Sequence, residues 1–417
     1  MKKSTLIILI VIGIVVIIGA VIGIMLITRK PAPPPPEEIV LTPEERARLI
    51  LTEEERRAGM TLEEKEKKMI EERKKALERA KVPEEVKVVR IDKIIDKKVK
   101  FVTYSADKQK LLYFDPAEKE FFTCNLDGTE KNVITRASLE NLYDVSWART
   151  KDKLILVFSA DKGKTKEYHF FNLAEQTDIK LDRRMQNVVF SFDGTKVAYQ
   201  WVVKKEGIFN LSVSDPDGKN WRKIKALGEQ RVVLDWFSEN NVAVFDQPSA
   251  YEQGNLYIYD VIEGKPYYAL TTEKYGLSAK FSRHGKKVIY NASSIKASRF
   301  PNLYVSDVKK GAVAKKIPIS TLVEKCTWAQ DNVTIYCGVP ENYSNYFIQP
   351  NDYYEGRFIS RDSFYKINTE TGEQLKIAAA DQFDKDYDVY LPFISDDGKT
   401  MYFTRKHDGK FYALRIP

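Results

Sequence analysis

From Thr5 to Thr28 the chain is apolar and uncharged, with Lys2 and Lys3 before the run and Arg29 and Lys30 after it. At ~1.5 Å per residue, a helix over this run is about 35 Å long, enough to cross a hydrocarbon core of ~30 Å. A cleaved signal peptide would have a shorter apolar region and a small-x-small site, and Met25-Leu26-Ile27-Thr28 offers none. The pattern predicts an N-terminal tail and transmembrane helix over residues 1–30. Lys and Arg are balanced across the run, so its flanks barely set an orientation. The short N-terminal tail favours a cytoplasmic N-terminus and an extracytoplasmic body: a single-pass membrane protein of the cell envelope.

Residues 31–41 read as a proline-rich linker. Pro31-Ala32-Pro33-Pro34-Pro35-Pro36 has fixed φ and few amide donors, which dictates extended polyproline II. Residues 42–82 then turn charged and helix-forming. Thr42-Pro43-Glu44-Glu45, Thr52 with Glu55 and Thr61 with Glu64 carry N-cap signals, and Gly59 suits a helix end. Two or three short helices are expected, forming a stalk that is either a solvated spacer or a partner-binding segment.

From Val99 onward one pattern recurs: an apolar strand ending in an aromatic, a polar turn, then a second apolar strand. The terminal aromatics are Tyr104, Trp147, Phe190, Trp236, Phe281, Trp328 and Phe393, spaced by 43, 43, 46, 45, 47 and 65 residues. Asp193-Gly194, His284-Gly285 and Asp397-Gly398 follow three of them, supplying the φ > 0 position a tight turn needs. Third strands recur as Asn210–Asp215, Asn255–Asp260 and Asn302–Asp307. Four strands per unit of this length make the blade of a β-propeller. Seven anchors predict an all-β, seven-bladed β-propeller of four-stranded blades over residues 83–417, preceded by the transmembrane helix and the stalk. The last unit has only three strands, so residues 86–95 are expected to close the ring as its fourth.

The units Phe190–Tyr199 and Phe281–Tyr290, with the Asn-Leu-Tyr-x-x-Asp strands, resemble the repeat of TolB-like propellers, also called WD40-like or PD40 repeats. The resemblance covers about 99–417. Ser105–Lys108, Arg149–Asp152, Glu239–Asn241 and Gln330–Asn332 depart from it by lacking Asp-Gly. It implies a module that binds peptides or proteins at the channel mouth, often at the cell envelope. The same propeller also gates the hydrolase of prolyl oligopeptidase-like enzymes, but no Gly-x-Ser-x-Gly elbow is present here.

Composition narrows the chemistry. The 23 tyrosines and 21 phenylalanines favour β structure. The net charge of +8 is +4 over residues 1–36, −1 over 37–82 and +5 over the remainder, too dilute for a nucleic-acid footprint. His169, His284 and His407 fall in different units, so no metal and no cofactor is expected. The acids Asp384, Asp386 and Asp388 lack the glycine and terminal glutamate of a calcium loop. Cys326 and Cys337 flank the Gln330–Asn332 turn symmetrically. They are either a disulfide across paired strands or two buried thiols, with Cys124 left over.

The longest insertion is Val339–Arg361, in the second-to-third-strand loop of blade six. Its Tyr343, Tyr346, Phe347, Tyr353, Tyr354 and Arg357 are interface-type residues, as are Tyr251 and Phe300 on the same face. Arg183, Arg184, Lys274 and Tyr275, in inter-blade loops, are expected to line its centre. An alternative is a loop packed over its own blade. With no catalytic constellation, the leading expectation is a non-enzymatic module binding a protein or peptide. Behind it stand a structural subunit of an envelope assembly and, last, a glycan-active hydrolase or lyase.

Overall fold

The computed structural model describes residues 89–416 apart from 136–138, 162–164, 229–230 and 264–266, together with Thr61 and Glu64. The anchor expected at 5–28, the linker at 31–41 and the rest of the stalk lie outside the described residues. Thr61 N–H donates to Glu64 Oε2 at 2.8 Å and Glu64 N–H donates to Thr61 Oγ1 at 3.2 Å, the reciprocal exchange of a capping box. The single-pass localisation expected from the sequence is corrected. Among the described residues no helix is long and apolar enough to cross a membrane, and the helix Asn351–Tyr354 is four residues long.

The strands are antiparallel throughout. Three four-stranded sheets come first: Lys100–Tyr104 to Asn132–Val133, Leu142–Trp147 to Thr177–Lys180, and Met185–Phe190 to Arg222–Ala226. A seven-stranded sheet runs from Val232–Trp236 to Lys315–Ser320. The cysteine-bearing sheet orders Cys326–Trp328, Thr334–Pro340, Asp362–Asn368 and Gln374–Ala378. In the closing sheet Val389–Ile394, Thr400–Arg405 and Phe411–Arg415 are joined by Arg90–Ile95, with Ile91 opposite Leu414.

Each sheet buries apolar side chains against the next. Phe121, Leu154 and Phe171 join the first two; Ile155, Phe190 and Tyr199 join the second and third. Leu211, Trp236 and Val244 continue into the seven-stranded sheet, and Ile289, Trp328 and Ile335 into the cysteine-bearing one. Phe364, Val389 and Phe403 reach the closing sheet, whose Tyr402 and Phe411 meet Tyr113 and Phe122 of the first. The sheets therefore form a closed ring. No sheet could hide both faces alone, and ring packing supplies the burial.

The turn after the terminal aromatic is nearly self-contained. Ser191 Oγ–H donates to Asp193 Oδ1 at 2.6 Å, Lys196 N–H donates back to Ser191 Oγ at 2.9 Å, and Gly194 sits at φ 72°. Ser105 with Asp107, and Ser395 with Asp397, repeat the pattern. The turns without Asp-Gly keep the backbone shape: Lys108, Lys151 and Asn332 adopt φ 58°, 62° and 56° where the others have glycine. Glu239–Asn241 differs; there the Trp236 indole N–H caps Glu239 O at 3.2 Å.

Candidate functional site

First strands of neighbouring sheets touch where Met185–Phe190 meets Leu142–Trp147 and Val232–Trp236, and where Cys326–Trp328 meets Val389–Ile394. Strand side chains alternate, so the residue before each terminal aromatic lies on the opposite face of its strand. Two such residues are charged, Asp235 before Trp236 and Lys280 before Phe281. Lys280 Nζ donates to Cys326 O at 2.6 Å. Burial lowers Lys280 to about 8 against the opposing pull of Glu324 and Asp235. Burial raises Asp235 to about 6, with Arg149 and Lys280 working the other way. Arg149 Nη1 also donates to Arg283 O at 3.3 Å, linking the second sheet to the seven-stranded one.

Glu324 stands just before the cysteine-bearing strand. Ser278 Oγ and Tyr354 OH both donate to its Oε1, at 2.7 and 2.6 Å. Its Oε2 is buried and has no hydrogen-bond partner among the described residues. Tyr390 is pushed up to about 12 by burial, then by the charges of Glu324, Asp144 and Tyr143, which lie near it. Asp144 is raised by burial within the ring, countered by the Val145 N–H and by Lys166 and Lys100. Tyr143 and Leu391 are 54% and 46% exposed. The surroundings of Tyr390 are thus aromatic and acidic.

Residues 341–361 lie over the ring on this side. Phe358 and Tyr353 are buried with Leu322, and Tyr343, Phe347 and Tyr390 pack around them. Tyr343 stacks on Phe358 at 5.3 Å and meets Phe300 at 5.7 Å. Gln349 N–H donates to Ser298 O at 2.8 Å, and Ala250 N–H donates to Asn351 Oδ1 at 2.8 Å, so the segment is tied to two loops of the seven-stranded sheet. Gly276, at φ +64°, lets it come close: a Cβ there would stand 3.1 Å from Pro350 Cδ.

The residues singled out from the sequence separate into three groups. Tyr353, Tyr343, Phe347 and Phe300 are packing residues of this segment. Tyr354, Tyr346 and Tyr251 reach solvent, Tyr346 at 89% exposure, and Tyr354 alone is bonded into the channel mouth. Arg357 is held by Asp352 and Glu355. Arg184 pairs with Asp182 at 2.5 Å and lies 4.3 Å over Trp201, while Arg183 is exposed beside it. Lys274 and Tyr275 are half-buried on Tyr268–Phe281.

Sequence reasoning missed Glu324, Ser278, Lys280, Asp235, Asp144 and Tyr390. The position before each terminal aromatic is the signal that could have found Asp235 and Lys280. Cys326 and Cys337 are directly opposed and joined as a disulfide with Cα atoms 4.1 Å apart. Cys124 is buried. Among the described residues no group of three or more His, Cys, Asp or Glu is placed to hold a metal ion.

No family model and no curated protein matches the chain. Solved structures do. An oligogalacturonate lyase from Vibrio parahaemolyticus aligns with a TM-score of 0.54 at 12% identity, over 81% of this chain and 96% of its own. Prolyl endopeptidases align at 0.55 and 9% identity, over 78% of this chain and 48% of theirs. The β-propeller domain of Cps50 (Swd1) from Myceliophteria thermophila aligns at 0.50 and 8%, over 79% and 100%. TolB from Acinetobacter baumannii is also matched, at 0.41 and 12%, over 68% and 64%. The expectation of a non-enzyme is corrected by these findings. The lyase and the endopeptidases share the architecture, so the lack of a hydrolase elbow does not remove catalysis from consideration. At such identities the likeness is one of fold, and the chain is in fold a β-propeller.

Proposed function

We propose that this chain is a seven-bladed propeller that binds a peptide or protein segment at the channel mouth beneath residues 341–361. The count of seven rests on Tyr268–Phe281. Its first half pairs with Gln253–Asp260 and its second with Lys287–Ser293, so the seven-stranded sheet divides into two blades. The observation that carries the binding reading is Glu324: one carboxylate oxygen is fixed by Ser278 and Tyr354, and the other is buried with no hydrogen-bond partner among the described residues. A buried carboxylate oxygen without a donor costs free energy that an incoming N–H or ammonium returns. Tyr143, Tyr390, Tyr354 and Leu391 supply the aromatic and apolar contact that a peptide needs. A ligand rich in donors fits this mouth better than an acidic one, since Arg184 is already engaged by Asp182.

The test is selection from a random peptide library on the full chain. Selected peptides are then measured against Glu324→Gln and against a chain with residues 342–360 replaced by a short Gly-Ser turn. Weakened binding by both variants supports the site. Peptides that bind all three chains equally place recognition elsewhere and refute it.

A second reading is favoured by Lys280 and Asp235. One is lowered to about 8 and the other raised to about 6, so both change protonation close to neutrality, as a general base and acid must. Proton abstraction from an acidic sugar is the matching chemistry. Incubation with oligogalacturonate, followed by absorbance of unsaturated product, tests it; product equal in wild type and Lys280→Met removes this reading.

A further inference from the structure

Below residues 341–361 lies a second group of charges that ligand binding does not use. Lys325 and Asp362 have fully buried side chains, and that of Asp388 is 1% exposed. Lys325 Nζ stands 2.8 Å from Asp362 Oδ2 and 2.6 Å from Asp388 Oδ1. It also reaches Ser360 Oγ at 2.6 Å and Val389 O at 3.1 Å. That is one acceptor more than an ammonium has protons. Asp362 Oδ2 takes the Val389 N–H at 2.7 Å, and Asp388 Oδ1 takes the Ser360 hydroxyl at 2.8 Å and the Tyr353 hydroxyl at 3.3 Å. The remaining oxygens, Asp362 Oδ1 and Asp388 Oδ2, are buried with no hydrogen-bond partner among the described residues.

The walls are Leu322, Tyr353, Phe358 and Val389, all at most 2% exposed. Lys406 adds a second cation, 3.4 Å over the Tyr353 ring. Two carboxylates and an ammonium enclosed by such walls pay a desolvation penalty that even good pairing offsets only in part. Condensing one acid with the amine removes two of those charges. It needs an amine, a carboxyl group at contact distance, a second acid to move protons, and exclusion of water. All four are present.

We propose that Lys325 and Asp362 are joined by an isopeptide bond that the folded chain makes itself, with Asp388 as the proton carrier. Asp388 accepts a proton from the Lys325 ammonium, and the freed nitrogen lone pair forms the Nζ–Cγ bond to Asp362. The two protons that nitrogen sheds pass through Asp388 to one Asp362 oxygen. That Cγ–O bond breaks and the oxygen leaves as water. An ammonium and a carboxylate become a neutral secondary amide plus water, Asp388 is regenerated, and no oxidant or reductant is consumed. Burial raises Asp362 to about 6, with Lys325 pulling it down and Asp388 pushing it up, so the acid form that favours attack is within reach at mildly acidic pH. The bond would tie the start of Cys326–Trp328 to the start of Asp362–Asn368, beside the Cys326–Cys337 disulfide. It would secure the strands from which residues 341–361 depart.

The test is the intact mass of the reduced full chain, followed by tryptic mapping. The expected result is a mass lower than the sequence value by one water, with a branched peptide linking Lys325 to Asp362. Asp388→Ala and Lys325→Arg should each restore the full mass. A wild-type chain at full sequence mass overturns the proposal without reference to any variant. A water lost from an unbranched peptide, or a branch at Asp388, also overturns it.

Discussion

In the turns Asp107, Asp193 and Asp397 are satisfied within their own few residues; under residues 341–361 Asp362, Asp388 and Glu324 depend on distant parts of the chain. Asp107 and Asp397 accept from Ser105 and Ser395, two positions away, and these bonds hold both carboxyls below the usual range. Asp362 and Asp388 share Lys325, which lies 37 and 63 residues off, and Glu324 takes Ser278 from 46 residues away. Local satisfaction repeats from unit to unit and builds the ring. Under residues 341–361 long-range satisfaction is combined with buried carboxylate oxygens that have no partner among the described residues. The difference teaches where to look for chemistry: the repeating face is scaffold, and the irregular face holds groups with unmet valence.

The comparison breaks most visibly at Lys325. Lys325→Met strands two buried carboxylates and is expected to cost about 3–5 kcal/mol, read by urea denaturation. The cysteine pair lies in the same sheet. Cys326→Ala with Cys337→Ala should cost about 2–3 kcal/mol for so short a closed loop. On the turn face Ser191→Ala removes a bond to Asp193 and one from Lys196, and should cost only about 1 kcal/mol. A loss there as large as at Lys325 would erase the distinction between the faces. Lys151→Gly should go the other way, stabilising by about 0.5 kcal/mol, because glycine accepts the φ of 62° without strain.

The pH response sharpens the same contrast. Asp107 and Asp397 are lowered in the fold, so their contribution is present above the unfolded value of 3.8 and is lost as pH falls through their folded values. Asp235 is raised to about 6. Between 3.8 and 6 the native chain holds more protons than the unfolded one at this group, so its contribution to stability declines as pH rises across that window. Asp235→Asn should therefore flatten stability between those values, whereas Asp107→Asn should flatten it only at lower pH. Denaturation midpoints over that range decide the matter.

The ring was legible because its signals are periodic. Trp236, Phe281 and Trp328 each end an inner strand, and their spacing alone marks out the repeat. The turn shape was less legible, since Lys108 and Lys151 adopt a backbone usually advertised by glycine. The site was the least legible. Tyr353 reads as a loop aromatic available to a partner, yet it is fully buried because Leu322 and Phe358 close around it. Glu324, Ser278 and Lys280 carry no motif; ring closure alone brings them together. Arg184 reads as a free cation and is spent on Asp182 and Trp201.

The most direct measurement is the equilibrium affinity of a selected peptide for the wild-type chain and for Glu324→Gln, with folding of both checked by denaturation. Loss of one charge-assisted hydrogen bond predicts an affinity lower by about tenfold or more in the variant, at unchanged stability. Equal affinity for both chains would contradict the assignment of the binding site to the mouth beneath residues 341–361.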